Sequence, residues 1–140
     1  MRILGLDLGS VTCGVSVSDV MAFLARPVET VRFKPDDYES CLLQLEKHIN
    51  EFQIKTVVLG LPKHMNGDIG IRGEISIEFK KRLEEKGLEV ILWDERLTTV
   101  AAQKILISAD VSRKKRKQVI DQMASVQILQ SYLDSKSLGR

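Results

Sequence analysis

Residues 2–19 read RILGLDLGSVTCGVSVSD, and the order of apolar and small residues in this stretch decides the fold class. Met1–Leu6 is apolar and β-prone and runs into Asp7 and Gly9. Cys13–Asp19 then alternates, with Cys13, Val15 and Val17 on one face and Gly14, Ser16 and Ser18 on the other. A period of two predicts a strand with one face buried. Leu8–Thr12, with one Gly and one Ser, predicts a hairpin joining that strand to the first. Ala22–Phe33 supplies a third strand, and Pro27 within it marks an edge, because proline cannot donate to a ladder on both sides.

Beyond Asp36 the period changes. Leu42, Leu45, His48–Ile49 and Phe52 recur at helical spacing, and Asp36 or Asp37 can cap the start. Thr56–Leu61 is a short β-branched run of the kind buried on both faces. A glycine-rich loop, Leu61–Gly73, leads to a charged helix over Glu74–Lys86, stopped by Gly87. Leu88–Trp93 is another buried strand. Thr98 or Thr99 can cap a helix through Ile107, and a last helix spans Lys115–Leu133. Strands separated by helices demand parallel crossovers, whereas the first three can pair antiparallel. The expectation is an α/β protein: a mixed sheet flanked by helices.

At 140 residues the chain falls in the range of one domain, read here as 1–140. Two cysteines, Cys13 and Cys41, make no disulfide framework, and two histidines, His48 and His64, assemble no zinc site by spacing. No apolar run approaches the ~20 residues of a membrane span, and the start lacks the layout of a signal peptide, so a cytoplasmic setting is expected. The formal charge of +2 conceals an uneven distribution. Arg113, Lys114, Lys115, Arg116 and Lys117 are consecutive cations, which leaves the other residues at −3. A concentrated basic strip on a mildly acidic body keeps nucleic acid among the candidate partners.

Three acidic positions stand out by location. Asp7 closes the first strand, and Asp94 and Glu95 close Leu88–Trp93. Ligands of open α/β sheets bind at the carboxyl ends of strands, although a strand-end aspartate also serves turns and caps. Asp121 shares a helix side with Ala124 and Ile128. An acid bordering a buried stripe needs a pairing partner, and Lys117 at i−4 or a bound cation can each provide it. Three such carboxylates converging would suit a hard divalent ion. In the glycine loop, Asn66-Gly67 signals a turn, and Lys63 and Arg72 can hold phosphate. No Gly-Lys-Ser/Thr ends that loop, so it is not a Walker A motif.

Taken together these segments resemble the YqgF (RuvX) family, related to the Holliday-junction resolvase RuvC within the ribonuclease-H-like superfamily. The resemblance rests on Leu4-Gly5-Leu6-Asp7-Leu8-Gly9-Ser10, Gly14-Val15-Ser16-Val17-Ser18-Asp19, Gly60-Leu61-Pro62 with Asn66-Gly67, and Trp93-Asp94-Glu95-Arg96-Leu97-Thr98-Thr99. It continues through Asp110-Val111-Ser112 and Arg113–Lys117 to Ile120-Asp121-Gln122-Met123-Ala124 and Ile128–Asp134. It implies a ribonuclease-H-like fold and a nuclease acting in 5′-end maturation of precursor 16S rRNA, and thus in ribosome biogenesis; older descriptions imply Holliday junction resolution. It also implies that Asp7, Glu95 and Asp121 are the catalytic acids and hold Mg²⁺ or Mn²⁺. The family commonly carries Lys or Arg in the stretch that here reads Val11-Thr12-Cys13, so one basic contact near Asp7 is absent.

The leading expectation is therefore a metal-dependent nuclease. Arg96, Arg113, Lys114, Lys115, Arg116, Lys117, Lys63 and Arg72 would contact the backbone of precursor rRNA or branched DNA. A rival is a nucleic-acid-binding module that assists ribosome maturation without cutting. A further rival is a phosphate-transferring ATPase, since Asp7-Leu8-Gly9-Ser10 also resembles the phosphate loop of the actin and sugar-kinase superfamily, which places nucleotide between two domains. Whether the chain works as a monomer or a homodimer is open at this level, and no membrane partner is expected.

Overall fold

The computed structural model describes residues 1–62, 69–94 and 113–138, and in the last stretch the side chains of residues 123–136. Five strands form one sheet: β1 (Ile3–Leu8), β2 (Thr12–Ser18), β3 (Ala25–Arg32), β4 (Thr56–Leu61) and β5 (Glu89–Asp94). Three helices are described, α1 (Tyr38–Glu51), α2 (Ile71–Glu84) and α3 (Arg113–Leu138). The strand order is β3-β2-β1-β4-β5. β1, β2 and β3 pair antiparallel as two hairpins, while β4 and β5 join parallel to β1 through helical crossovers. The expected mixed sheet is thus observed, with β1 at its centre.

The first hairpin closes by a bond from the Gly9 amide to the Thr12 carbonyl at 2.7 Å. The second is held by Asp19, whose Oδ1 accepts from the amides of Phe23 (2.7 Å) and Leu24 (3.0 Å). Those two bonds hold the exposed Asp19 carboxyl below its ordinary range. Pro27 sits on β3, which is an edge strand, as a residue without an amide donor requires. α1 begins at the predicted cap: Asp37 accepts from the Ser40 amide at 3.2 Å.

One side of the sheet carries the larger core. Leu4, Leu6 and Leu8 of β1, Val15 and Val17 of β2, and Val57 and Leu59 of β4 pack there with Leu42 and Leu45 of α1 and Phe79 and Leu83 of α2. On the other side Ile3 and Val58 meet Ile128, Leu129, Tyr132 and Leu133 of α3. This second layer changes the reading of β2. The alternation predicts one buried face, yet Ser16 and Ser18 are as buried as Val15 and Val17, which alternate with them. α3 covers the serine face, and the hydroxyls lose little by burial because each finds a partner in the backbone.

Element bounds also shift. α2 starts at Ile71 rather than at Glu74, so Arg72 and Gly73 belong to a helix and not to a loop. Gly73 is there for close packing: a β-carbon would lie 2.9 Å from the Pro62 carbonyl oxygen and collide with Ile69. α3 extends past the expected Lys115–Leu133 at both ends. The expected helix from Thr98 or Thr99 through Ile107, and the loop residues Lys63, His64, Asn66 and Gly67, lie outside the described residues. Among the described residues no helix is long and apolar enough to cross a membrane.

Candidate active site

The parallel strands β1, β4 and β5 end at one edge of the sheet. Leu61 of β4 is level with Asp94, the last residue of β5, and Leu59 with Leu6 of β1. Asp7 lies one step past Leu6, near this carboxyl edge. Strand alternation decides where it faces. Leu4, Leu6 and Leu8 enter the larger core while Ile3 meets α3, so Asp7 belongs to the α3 face. Its neighbour on β2 is Gly14, and continuing the β1–β4 register by one residue puts Gly60 on its other side. Neither flanking residue carries a side chain, so none projects beside Asp7 from the adjacent strands.

The remaining small residues explain how α3 approaches this face. Ser125 donates to the Gly5 carbonyl at 2.8 Å, and Ser16 Oγ lies 2.9 Å from Ser125 Oγ and donates to the Ser125 carbonyl at 3.0 Å. A β-carbon on Gly5 would come within 2.8 Å of Leu129 Cβ and collide with the Ser16 hydroxyl. Helix and strand can therefore meet backbone to side chain only because position 5 is glycine. From this anchor α3 runs toward the amino end of β1, where Tyr132 and Leu133 lie beside Met1 and Ile3. Its opposite direction leads to the carboxyl edge. Residue 121 is one helical turn before Ser125, about 6 Å along the axis, and Asp7 is two residues beyond Gly5, about 7 Å along the strand. Asp121 and Asp7 thus both lie on the carboxyl-edge side of the Gly5–Ser125 contact. Trp93 of β5 holds the helix from the side, donating to Ser131 at 3.1 Å and meeting Tyr132 edge to face.

Of the expected backbone-binding residues, Arg72 is the one whose side chain is described. It reaches from the first turn of α2 to donate to the Leu8 carbonyl at 3.3 Å, which brings a guanidinium to the residue next to Asp7. Arg113, Lys114, Lys115, Arg116 and Lys117 form the first turns of α3, beyond Asp121 from the anchor. Glu95, Arg96 and Lys63 lie outside the described residues, and so do the side chains of Asp121 and the basic run. Among the described residues no three acidic, histidine or cysteine side chains converge as a metal site.

The chemistry of the available donors is nonetheless selective. Cys13, on β2 beside Gly14, faces the larger core and is fully buried. Its hydrogen bond with Cys41, burial, and the nearby Asp7 carboxylate all push the thiol up, well above its usual range. It stays protonated and supplies neither a nucleophile nor a soft metal ligand. The α3 face at this edge offers oxygen, the donor that Mg²⁺ and Mn²⁺ prefer. The two serines that seat α3 were not singled out from sequence. Their one signal was that the polar face of β2 carries Gly14, Ser16 and Ser18, residues small enough for a helix to lie on.

A five-stranded mixed sheet of this order, with α3 packed over the antiparallel strands, is the ribonuclease-H-like fold of RuvC-type resolvases. Two solved structures superpose along nearly the whole chain. A Thermus thermophilus RuvC in complex with Holliday junction substrate aligns with a TM-score of 0.62, covering 99% of this chain and 96% of that one at 14% identity. A fowlpox virus resolvase with Holliday junction DNA aligns at 0.61, covering 97% and 99% at 14% identity. The sequence match is tighter. Residues 1–135 match the model of the RuvX family, described as Holliday junction resolvase, and the chain belongs to that family. A relative from Geobacillus sp. (strain WCH70) is 57% identical over 137 residues, 97% of this chain and 99% of its own length. One from Bacillus subtilis (strain 168) is 54% identical over 136 residues, 96% and 99%. Both carry the name "Putative pre-16S rRNA nuclease".

Proposed function

We propose that the protein is a metal-dependent nuclease that hydrolyses phosphodiester bonds in 5′-end processing of precursor 16S rRNA in the cytoplasm. The observation that carries this reading is Asp7 at the carboxyl edge of β1, flanked by Gly14 and Gly60, on the face where Ser125 seats α3. Membership of the RuvX family and the names of the relatives support it. We take Glu95 rather than Asp94 as the second acid, because Trp93-Asp94-Glu95-Arg96 is the motif that carries the family resemblance directly after β5. Asp7, Glu95 and Asp121 would hold Mg²⁺ or Mn²⁺.

The divalent cation, when bound, supplies positive charge for the phosphate and lowers the pKa of water. The chain's own residues do the rest. Asp121 accepts a hydrogen bond from the attacking water and fixes its direction. Arg72, Lys63 and Arg96 neutralise phosphates beside the edge. The run Arg113–Lys117 draws the polyanion toward the acids, which would repel it unaided. Gly14 and Gly60 add no side chain that would compete with the scissile group beside Asp7.

Asp7→Asn tests the reading. It keeps the volume and removes the charge, so cleavage of precursor rRNA should fall at least about a hundredfold while the melting temperature holds. Unchanged cleavage would sink the assignment. A second reading, resolution of Holliday junctions, is favoured by the family description. The same assay on a four-way DNA junction separates the two. RNA binding that survives Asp7→Asn in a protein that cuts neither substrate would point to a non-catalytic module.

A further inference from the structure

The carboxyl edge holds one more cation on the α3 face, and it comes from β3. Thr12 and Arg32 are directly paired across the β2–β3 ladder, as are Gly14 and Thr30. Paired residues share a face, and the face of Gly14 and Ser16 is the one against α3. Arg32 therefore stands on the same side of the sheet as Asp7 and at the same edge. Asp7, Gly14 and Thr30 form one row across three strands, and Arg32 begins the next row outward. Two strand spacings and one two-residue step put its backbone about 12 Å from that of Asp7. A long side chain covers about half of that interval, and Gly14, buried between them, adds no side chain of its own.

Two further facts suit Arg32 to a ligand. It is exposed, and no salt bridge among the described residues engages it. In contrast its neighbour in the row below, Thr30, keeps a buried hydroxyl with no hydrogen-bond partner among the described residues. The opposite flank of Asp7 already has Arg72, on the Leu8 carbonyl. Residues 9–13, which join β1 to β2 next to Asp7, contribute no cation at all.

We propose that Arg32 binds a phosphate of the substrate backbone one or two nucleotides from the bond that is cut, so that the strand passes the β3 end of the carboxyl edge on its way to Asp7. This rests on the nuclease reading for its substrate class, phosphodiester backbone, and adds the path that the strand takes. The contact is a charge-assisted hydrogen bond to a phosphate oxygen, independent of base identity.

The test is a salt titration of binding in EDTA, with the full chain, a single-stranded RNA and a four-way DNA junction as probes. Arg32→Gln should weaken binding about five- to tenfold and reduce the slope of log K against log salt by about one. Arg32→Met, which keeps the apolar stem, should do the same, while Arg32→Lys should retain the slope. Arg26→Gln is the control, since Arg26 lies on β3 at the other end and pairs with Val17, whose face is the larger core. It should bind as wild type does. The probe on which Arg32→Gln shows its deficit identifies the backbone, RNA or DNA. Wild-type affinity and slope in both Arg32→Gln and Arg32→Met would overturn the proposal, and so would an equal loss in Arg26→Gln. A deficit in a protein that cleaves nothing would sink the nuclease reading and leave this contact standing.

Discussion

On the face covered by α1 and α2, β1 contributes Leu4, Leu6 and Leu8; on the face covered by α3 the same strand contributes Ile3, Gly5 and Asp7. β2 repeats the contrast, with Cys13, Val15 and Val17 against Gly14, Ser16 and Ser18. The first face is a wide apolar layer in which side-chain volume excludes water. The second is thinner and partly polar, and its helix is positioned by the hydroxyls of Ser16 and Ser125 and the bare backbone of Gly5. A layer of leucines tolerates small displacements, because dispersion is non-directional. A hydrogen-bonded contact over a glycine fixes one register. Stability is concentrated on one side of the sheet and placement on the other.

That contrast can be broken by substitution. Leu45→Ala, in the wide layer, should cost about 2–5 kcal/mol of unfolding free energy, read by denaturant titration, because Leu45 is fully buried there. Cleavage below the melting transition should be close to wild type. Gly5→Ala should cost less stability, about 1–3 kcal/mol, as α3 is pushed off Leu129 and Ser16. Its loss of kcat should nevertheless exceed that of Leu45→Ala, since the displacement moves Asp121 relative to Asp7. Activity that tracks stability equally in both variants would show that the two faces do not divide these roles.

The smallest effect is expected at the rim of the wide layer. Burial pushes the Glu29 carboxyl up, but His48 at 2.6 Å and Lys47 at 3.3 Å outweigh it and hold the carboxyl below its usual range. A depressed folded value contributes stability that is present above the unfolded value near pH 4.3 and is lost as pH falls through the folded one. Glu29 is a third exposed, so the term should stay below about 1 kcal/mol. Wild type should thus exceed Glu29→Gln slightly in stability at pH 7, and the gap should close as pH falls through the lowered folded value. Cleavage should be unaffected by the substitution.

The sheet was legible in the sequence because its strands are short apolar runs punctuated by turn residues, and Thr56–Leu61 was delimited to the residue. What could not be read was which helix covers which face. Ser16 and Ser18 looked like a solvent face, since a serine buried under a helix and a serine in water have the same periodicity. The start of α2 was missed for a related reason: Gly73 reads as loop until the Pro62 carbonyl is seen against it. For the site, Asp7 was legible from its place at a strand end. Arg32 was not, because its relation to Asp7 runs through two cross-strand pairings that no local pattern encodes.

α3 is 26 residues long, about 39 Å, and its Ser125 anchor lies close to the middle. The half after Ser125 packs on Ile3, Ala25 and Trp93, while the cations occupy the first turns, on the other side of that anchor. A helix transmits angle as well as length. Adding a single residue between Lys117 and Ser125 would advance the basic run by about 1.5 Å and swing it by about 100° around the axis. The spacing from anchor to basic strip is therefore a phase setting, in which the number of residues fixes where the cations point.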